Sequence, residues 1–204
     1  LLPPVSLSAA DGVNLVRTIS SIETLALYEP LVDRLSGYPE RITLNAVDET
    51  YLPLSGYSIL GEKINRSDID FHRKHALVSE VLAREMGLEI GDTFELENAG
   101  KFKIIGIITD RPDIKSDQIL IPLFKADQAD SLCFLVRSRL NIEAVASTED
   151  ETRAYLRSRY PNNSEVVITN HARHLYTTVI QVFLKWQALL LGGSWIIFLM
   201  APIS

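Results

Sequence analysis

Apolar and polar positions along this chain fall into stretches of helical and strand period, and the most ordered stretch runs from Ala76 to Ile108. Ala76, Leu77, Val81, Leu82, Met86 and Leu88 follow the i, i+3, i+4 spacing of an amphipathic helix, with Glu80, Arg84 and Glu85 on the wet side. Gly87 stops that helix, because glycine takes a positive φ without a Cβ clash and suits the position just past the last helical residue. Gly91-Asp92 reverses the chain into a strand from Phe94 to Glu97, and Asn98-Ala99-Gly100 is a hairpin loop with Gly100 placed for a left-handed bulge. The return strand alternates Phe102, Ile104, Gly106 and Ile108 against Lys103, Ile105 and Ile107, so both faces are mostly covered. Gly87, Gly91 and Gly100 therefore read as structural turns, required by backbone geometry and not by binding.

The remaining elements hang from this stretch. Val5 to Leu7 reads as a short strand and Asp11-Gly12 as a turn. Ser21 to Leu35 reads as a helix with Ser21 as N-cap, interrupted near Pro30, and Arg41 to Val47 as a half-buried strand. Ser67-Asp68-Ile69-Asp70 is a helix or turn start. Asp110 to Asp117 is a charged loop, and Gln118 to Leu123 an apolar strand that Pro122 confines to an edge or an end. Leu132 to Arg137 reads as a strand, Ser147-Thr148-Glu149-Asp150 as a capping box opening a helix through Tyr160, and Glu165 to Thr169 as a strand. Strand, helix and strand at that spacing make a βαβ or split-βαβ unit.

The closing stretch differs in kind. Ala188 to Ile203 carries no charge, and the apolar pattern reaches back through Phe183 and Trp186. A spanning helix needs about 20 predominantly apolar residues. Residues 177–204 are expected to form part of one, with Lys185 able to snorkel and Trp186 suited to the interface. A buried C-terminal core helix is the alternative, and Gly192-Gly193 favours the membrane because glycine permits close helix packing there. Leu1-Leu2-Pro3-Pro4 has no basic region or long apolar run, so the chain is expected to begin inside a longer sequence.

Composition narrows the chemistry. With 47% hydrophobic and 23% charged residues, the 204-residue chain suits one globular domain or two small lobes. A formal charge of -6 offers no basic field for phosphates, so no nucleic-acid partner is expected. Cys133 is the one cysteine, which excludes an intramolecular disulfide and a thiolate cluster. His72 with His75 and His171 with His174 are spaced to share a helix face, but a zinc site needs three or four convergent ligands and nothing fixes the others. Asp68, Asp70, Asp110, Asp113 and Asp117 lie in turn-rich segments, where acids serve as caps and Asx-turns. No nucleophile elbow, Walker loop or Gly-x-Gly-x-x-Gly occurs, and no catalytic, cofactor or metal residue is singled out.

The run ALVSEVLAREMGLEIGDTFEL, followed by GKFKIIGII and preceded by GYSILGEKINRSDID, resembles the core of the extracytoplasmic domain in ABC-transporter permeases of the MacB, LolC/LolE and FtsX type. Gly61, Asp68, Ala76 to Ser79, Ala83, Gly87, Gly91, Asp92, Phe102 and Gly106 stand at matching places. The resemblance implies an α+β fold in two lobes: a porter-like split-βαβ lobe and an inserted helix and hairpin lobe of about 56–123. Together they make an extracytoplasmic domain over 1–175, followed by the start of a transmembrane helix. It further implies a non-catalytic permease domain at a bacterial inner membrane, facing the periplasm. The implied partners are a cytoplasmic ABC ATPase subunit, a second permease copy, and a periplasmic adaptor or cargo protein. Phe183, Lys185 and Trp186 would then lie on the helix that couples the outside domain to the membrane. A soluble barrel-type binding module, in which similar Gly-Asp hairpins occur, is the competing reading, and an enzyme using the acidic loops a third.

Overall fold

The run from His75 to Ser79 is buried along both of its faces, and a strand with no water on either side must find backbone partners on both edges. The computed structural model describes residues 7–40, 42–109, 118–126, 132–139 and 142–161. In chain order the elements are α1 (Ala9–Thr18), β1 (Ile22–Leu31), β2 (Thr43–Val47), α2 (Tyr51–Ser55), β3 (Ser58–Gly61), α3 (Arg66–Asp70) and β4 (His75–Ser79). They continue with α4 (Glu80–Met86), β5 (Thr93–Leu96), β6 (Gly100–Thr109), β7 (Gln118–Pro122), β8 (Cys133–Ser138) and α5 (Ile142–Arg159). Among the described residues these make an α+β fold with one mixed sheet of eight strands, ordered β3, β6, β4, β7, β2, β1, β8, with β5 also paired to β6. β2 with β7 and β4 with β6 run parallel, and the other pairs are antiparallel.

Two segments expected as helices are strands. Ala76 to Ser79 belongs to β4, and the helix starts only at Glu80, where Ser79 Oγ accepts from Leu82 N at 3.3 Å. The same oxygen accepts from Gln118 N at 3.2 Å, so one hydroxyl starts α4 and fixes the start of β7. A short, continuous apolar run fits a buried helix and a buried strand equally well by periodicity; here the ladders to β6 and β7 settle it. Ile22 to Leu31 is likewise β1, held between β2 and β8. Pro30 lies past the end of the β8 ladder at Tyr28↔Cys133, where a missing N–H is tolerated, whereas inside a helix it would break a bond.

Smaller differences have local causes. Asp11-Gly12 lies inside α1, not in a turn, because Ser8 and Asp11 form a capping box in which Asp11 Oδ2 accepts from Ser8 N at 2.9 Å. The expected capping box at Ser147 falls within α5, which already runs from Ile142. The stretch expected as an inserted lobe has no sheet of its own, since β7 joins β4 on one side and β2 on the other. By compactness the chain divides into units of Leu1–Arg139 and Leu140–Ser204, with α5 in the second. Val5 and Ser6 of the first expected strand and all of the last one, at Glu165 to Thr169, lie outside the described residues.

Alternate residues of the central strands enter two separate clusters. Leu44, Ala46, Ala76, Val78, Ile119 and Ile121 join one, and Leu77 and Leu120 join the other. The strict alternation expected for β6 fails at one point. Ile104 and Ile107 share a cluster, as do Ile105 and Ile108, because the β4 ladder steps from Ala76↔Ile104 to Leu77↔Gly106 and leaves Ile105 as an extra residue. At this bulge β3 crosses very close: a Cβ on Gly106 would stand 2.5 Å from the Glu62 carbonyl oxygen.

Beyond β1 the chain returns along the free edge of β5. Leu35 bridges Leu96, Ser36 N donates to Glu95 O at 2.9 Å, and Glu97 N donates to Arg34 O at 3.0 Å. Strands β1, β2, β7, β4, β6 and β5 thus form a ring, closed by this short bridge, and Leu35, Phe94, Leu96 and Phe102 belong to the cluster that also holds Val78 and Ile119. Asp33 secures the bridge. Its carboxylate accepts from Arg34 N at 2.7 Å, Asn98 N at 3.1 Å, Asn98 Nδ2 at 3.0 Å and Ala99 N at 2.9 Å. Partial burial opposes ionisation of Asp33, but these bonds outweigh it and hold its pKa below the ordinary carboxylate range.

Two outcomes are expected. Gly106→Ala is predicted to cost about 1–3 kcal/mol through backbone collision, measured as a fall in urea midpoint at unchanged m-value. Asp33→Ala is predicted to cost about 1–2 kcal/mol near neutral pH. Because the folded pKa is the lower one, that difference is fully present above the unfolded value of about 4 and is lost as pH falls through the folded value, so parent and variant should converge in acid.

Candidate functional site

The site is built from a short helix, its exit turn, the middle of β1 and the segments that follow β2 and β7. Helix α3 starts on Asn65, whose side chain accepts from Ser67 N at 2.9 Å, while Asp68 Oδ2 accepts from Asn65 N at 3.0 Å. Asp68 is 1% exposed, and its other oxygen lies 2.9 Å from His75 Nδ1 and 3.8 Å from Arg73 Nη1. Since a carboxylate only accepts, Nδ1 carries the hydrogen, and this bond ties α3 to the start of β4. Asp68 is therefore a cap and a buried anchor, the role expected of acids in such turns.

The exit of α3 uses an unexpected residue. Arg73 N donates to Asp68 O at 2.8 Å and His72 N to Ile69 O at 3.2 Å, the paired bonds of a Schellman turn with His72 at the left-handed position. The exit of α4 has the same pattern, Leu88 N to Ala83 O at 2.8 Å and Gly87 N to Arg84 O at 3.4 Å, but there the residue is glycine at φ 64°. Gly91 and Gly100 also have positive φ, 104° and 82°, and His72, at 52°, is the one non-glycine residue that does so among those described. A side chain in this conformation carries strain of order 1 kcal/mol. What the side chain does in return is visible: the His72 ring packs 5.3 Å from that of Phe124, whose far environment includes Lys74 Nζ at 5.8 Å. Lys74 in turn lies 4.8 Å from the Phe102 ring and donates to Ala99 O at 2.8 Å.

His72 lines a cleft of about 360 Å³. Its lining combines the apolar residues Leu27, Ile69, Leu123, Phe124 and Ala126 with the polar residues Asp48, Glu49, Arg66, Asp70 and His72. Arg66 holds both outer acids, with Nε 3.0 Å from Asp70 Oδ1 and Nη1 3.4 Å from Glu49 Oε1, and its side chain is 69% exposed. Asp48 sits deeper. It accepts from Leu27 N at 2.8 Å, Thr50 N at 3.0 Å and Tyr51 N at 2.9 Å, tying β1 to the start of α2. Burial raises its pKa in spite of those bonds, with the Glu49 charge adding to the rise. A cleft with apolar lining, a few polar groups and a perturbed carboxyl has the composition of a ligand-binding site.

His72 and His75 do not converge as a pair. His72 lies in the turn after α3 and packs its ring at a tilt against Phe124, His75 opens β4 and bonds Asp68, and no group of three or more His, Cys, Asp or Glu among the described residues is placed to hold a metal. Cys133 is half-buried on β8, its thiol pushed up by burial against the effect of a hydrogen bond with Tyr28. Asp110, Asp113, Asp117, His171, His174, Phe183, Lys185 and Trp186 lie outside the described residues. Of the sequence candidates among the described residues, only Asp70 and His72 line the cleft. Asp48 had a legible signal in the Asp48-Glu49-Thr50 turn, whereas Glu49, Arg66 and Phe124 meet only through the fold.

Sheet, turns and cleft together describe an α+β module with a cleft lined by both polar and apolar residues. Residues 3–154 match the family described as the MacB-like periplasmic core domain, so the chain belongs to that family. Its fold is similar to the periplasmic region of MacB from Actinobacillus actinomycetemcomitans, with TM-score 0.64, 15% identity, and 86% of this chain and 84% of that one covered. It is also similar to the extracellular domain of the noncanonic ABC-type transporter YknZ from Gram-positive bacteria, with TM-score 0.59, 13% identity, and 78% and 86% covered. No curated protein matches the chain.

The two Schellman turns set up a paired test. Gly87→Val should cost on the order of 1–3 kcal/mol, whereas His72→Gly should leave stability within about 1 kcal/mol of the parent, because relief of strain offsets the lost ring contact. Chemical denaturation of both variants checks it.

Proposed function

We propose that this chain is the extracytoplasmic part of an ABC transporter permease, engaging a cargo or partner protein outside the membrane and passing the resulting motion inward. The observation that carries this reading is the family match over residues 3–154, supported by the fold likeness to domains of two ABC-type transporters. The domain has no catalytic task in this reading: ATP hydrolysis belongs to a cytoplasmic ATPase subunit, and the permease works with a second copy. The organism is a bacterium, and the domain faces the periplasm or cell exterior. The division into a porter-like lobe and an inserted lobe of about 56–123 belongs to the same reading, as two working parts of one continuous sheet.

Among the described residues no helix is long and apolar enough to cross a membrane. The coupling element is proposed from sequence alone, as residues 177–204, with Phe183, Lys185 and Trp186 at its outer end. Proline inside a helix removes a hydrogen bond and kinks it. In the full transporter, Phe183→Pro is expected to leave partner binding by the outside domain intact while uncoupling ATP hydrolysis from export. A flexible Gly-Ser insertion at the same point should uncouple as well. Normal export with that insertion, measured alongside ATPase activity, would refute transmission through this segment.

A further inference from the structure

The cleft sets three carboxylates, Asp48, Glu49 and Asp70, against the single guanidinium of Arg66, so it is locally acidic on an acidic chain. The same lining includes Leu27, Ile69 and Phe124, apolar surface suited to an aliphatic stem. Arg66 occupies the acids only from the outside, and exposed ion pairs of this kind are worth little, so an incoming cation can take its place. A second feature lies next to these residues in the chain. Phe71, between the lining residues Asp70 and His72, is 72% exposed, and the Arg73 guanidinium lies 5.6 Å from its ring centre. Exposed aromatics beside arginine are the side chains that dominate protein interfaces.

We infer that this cleft receives a lysine or arginine side chain presented by a protein partner, with Phe71 and Arg73 forming the adjacent contact. A small free amine would fill the cleft and leave Phe71 in water; a protein segment covers both. The His72 ring, kept at the cost of a strained turn, completes the lining on which the incoming stem lies. The inference deepens the docking reading above and rests on it.

The test uses the full chain and blocked Gly-Ser-Xaa-Ser-Gly peptides with lysine, arginine, norleucine or glutamate at Xaa, with spermidine as a free amine, followed by calorimetry at two salt concentrations. Lysine and arginine peptides should bind, more weakly at high salt, and norleucine, which keeps the stem without the charge, roughly three- to tenfold more weakly. Asp70→Asn with Glu49→Gln should cause a similar loss. His72→Gly should weaken binding with the melting temperature within about 4 °C of the parent, and Phe71→Ser should weaken the peptide but not spermidine. Equal binding of norleucine and lysine, or indifference to the acid substitutions, overturns the charge assignment. Spermidine binding as tightly as the peptide overturns the protein partner. No binding by any peptide at millimolar concentration overturns the cleft assignment alone, because the export assay judges the transporter reading separately.

Discussion

A strand buried on both faces has to satisfy its whole backbone from its two edges, and β4 imposes that requirement on everything around it. Parallel pairing with β6 covers one edge and antiparallel pairing with β7 the other. Each end of β4 is then tied by a side chain that serves two elements. His75 bonds the buried Asp68 and so carries α3, and Ser79 starts α4 while holding Gln118 at the head of β7. The bulge that leaves Ile105 unmatched lets β6 follow β4 on one edge and β3 on the other, at a crossing too tight for any side chain at position 106. Buried polar groups in this molecule therefore act as joints between elements, as expected where an unpaired donor or acceptor would cost more than its bond returns.

The cleft is a by-product of those joints. Asp48 ties β1 to α2, the capping box of Asn65 and Asp68 fixes the direction of α3, and the turn at His72 brings the chain back to β4. These constraints leave a space between the end of α3 and the segment after β7, with Phe124 packed against His72 at its edge. Glycine stands at the equivalent point after α4, so the backbone alone does not demand histidine after α3. That contrast within one chain directs attention to the ring and its surroundings.

The competing barrel reading and the transporter reading share more geometry than their functions suggest. Six strands close into a ring through the Leu35 and Leu96 bridge, fastened by Asp33 on the hairpin loop. A ring of strands around an apolar cluster shields edges that would otherwise be open to pairing with other chains. The family match, and not the ring, separates the two readings.

Local chemistry was legible in the sequence. The hairpin of β5 and β6, the glycine turns, the strands β2, β7 and β8, and the cap at Asp68 each depend on a few neighbouring residues, and the wording around Gly87 and Gly91 carried the family. What misled was β1 and β4, whose residues suit a helix as well as a strand; only ladders to strands distant in sequence decide between them. The bulge at Gly106 was hidden for the same reason, since a one-residue slip is set by the partner strand and not by the strand itself. The cleft lies at the far end of this scale: its acids, Arg66 and Phe124 come from three regions of the chain, and each has an ordinary local role until the sheet brings them together. Periodicity and turn chemistry are properties of neighbours along the chain and so can be read from sequence, whereas register, closure and the cleft are properties of neighbours in space.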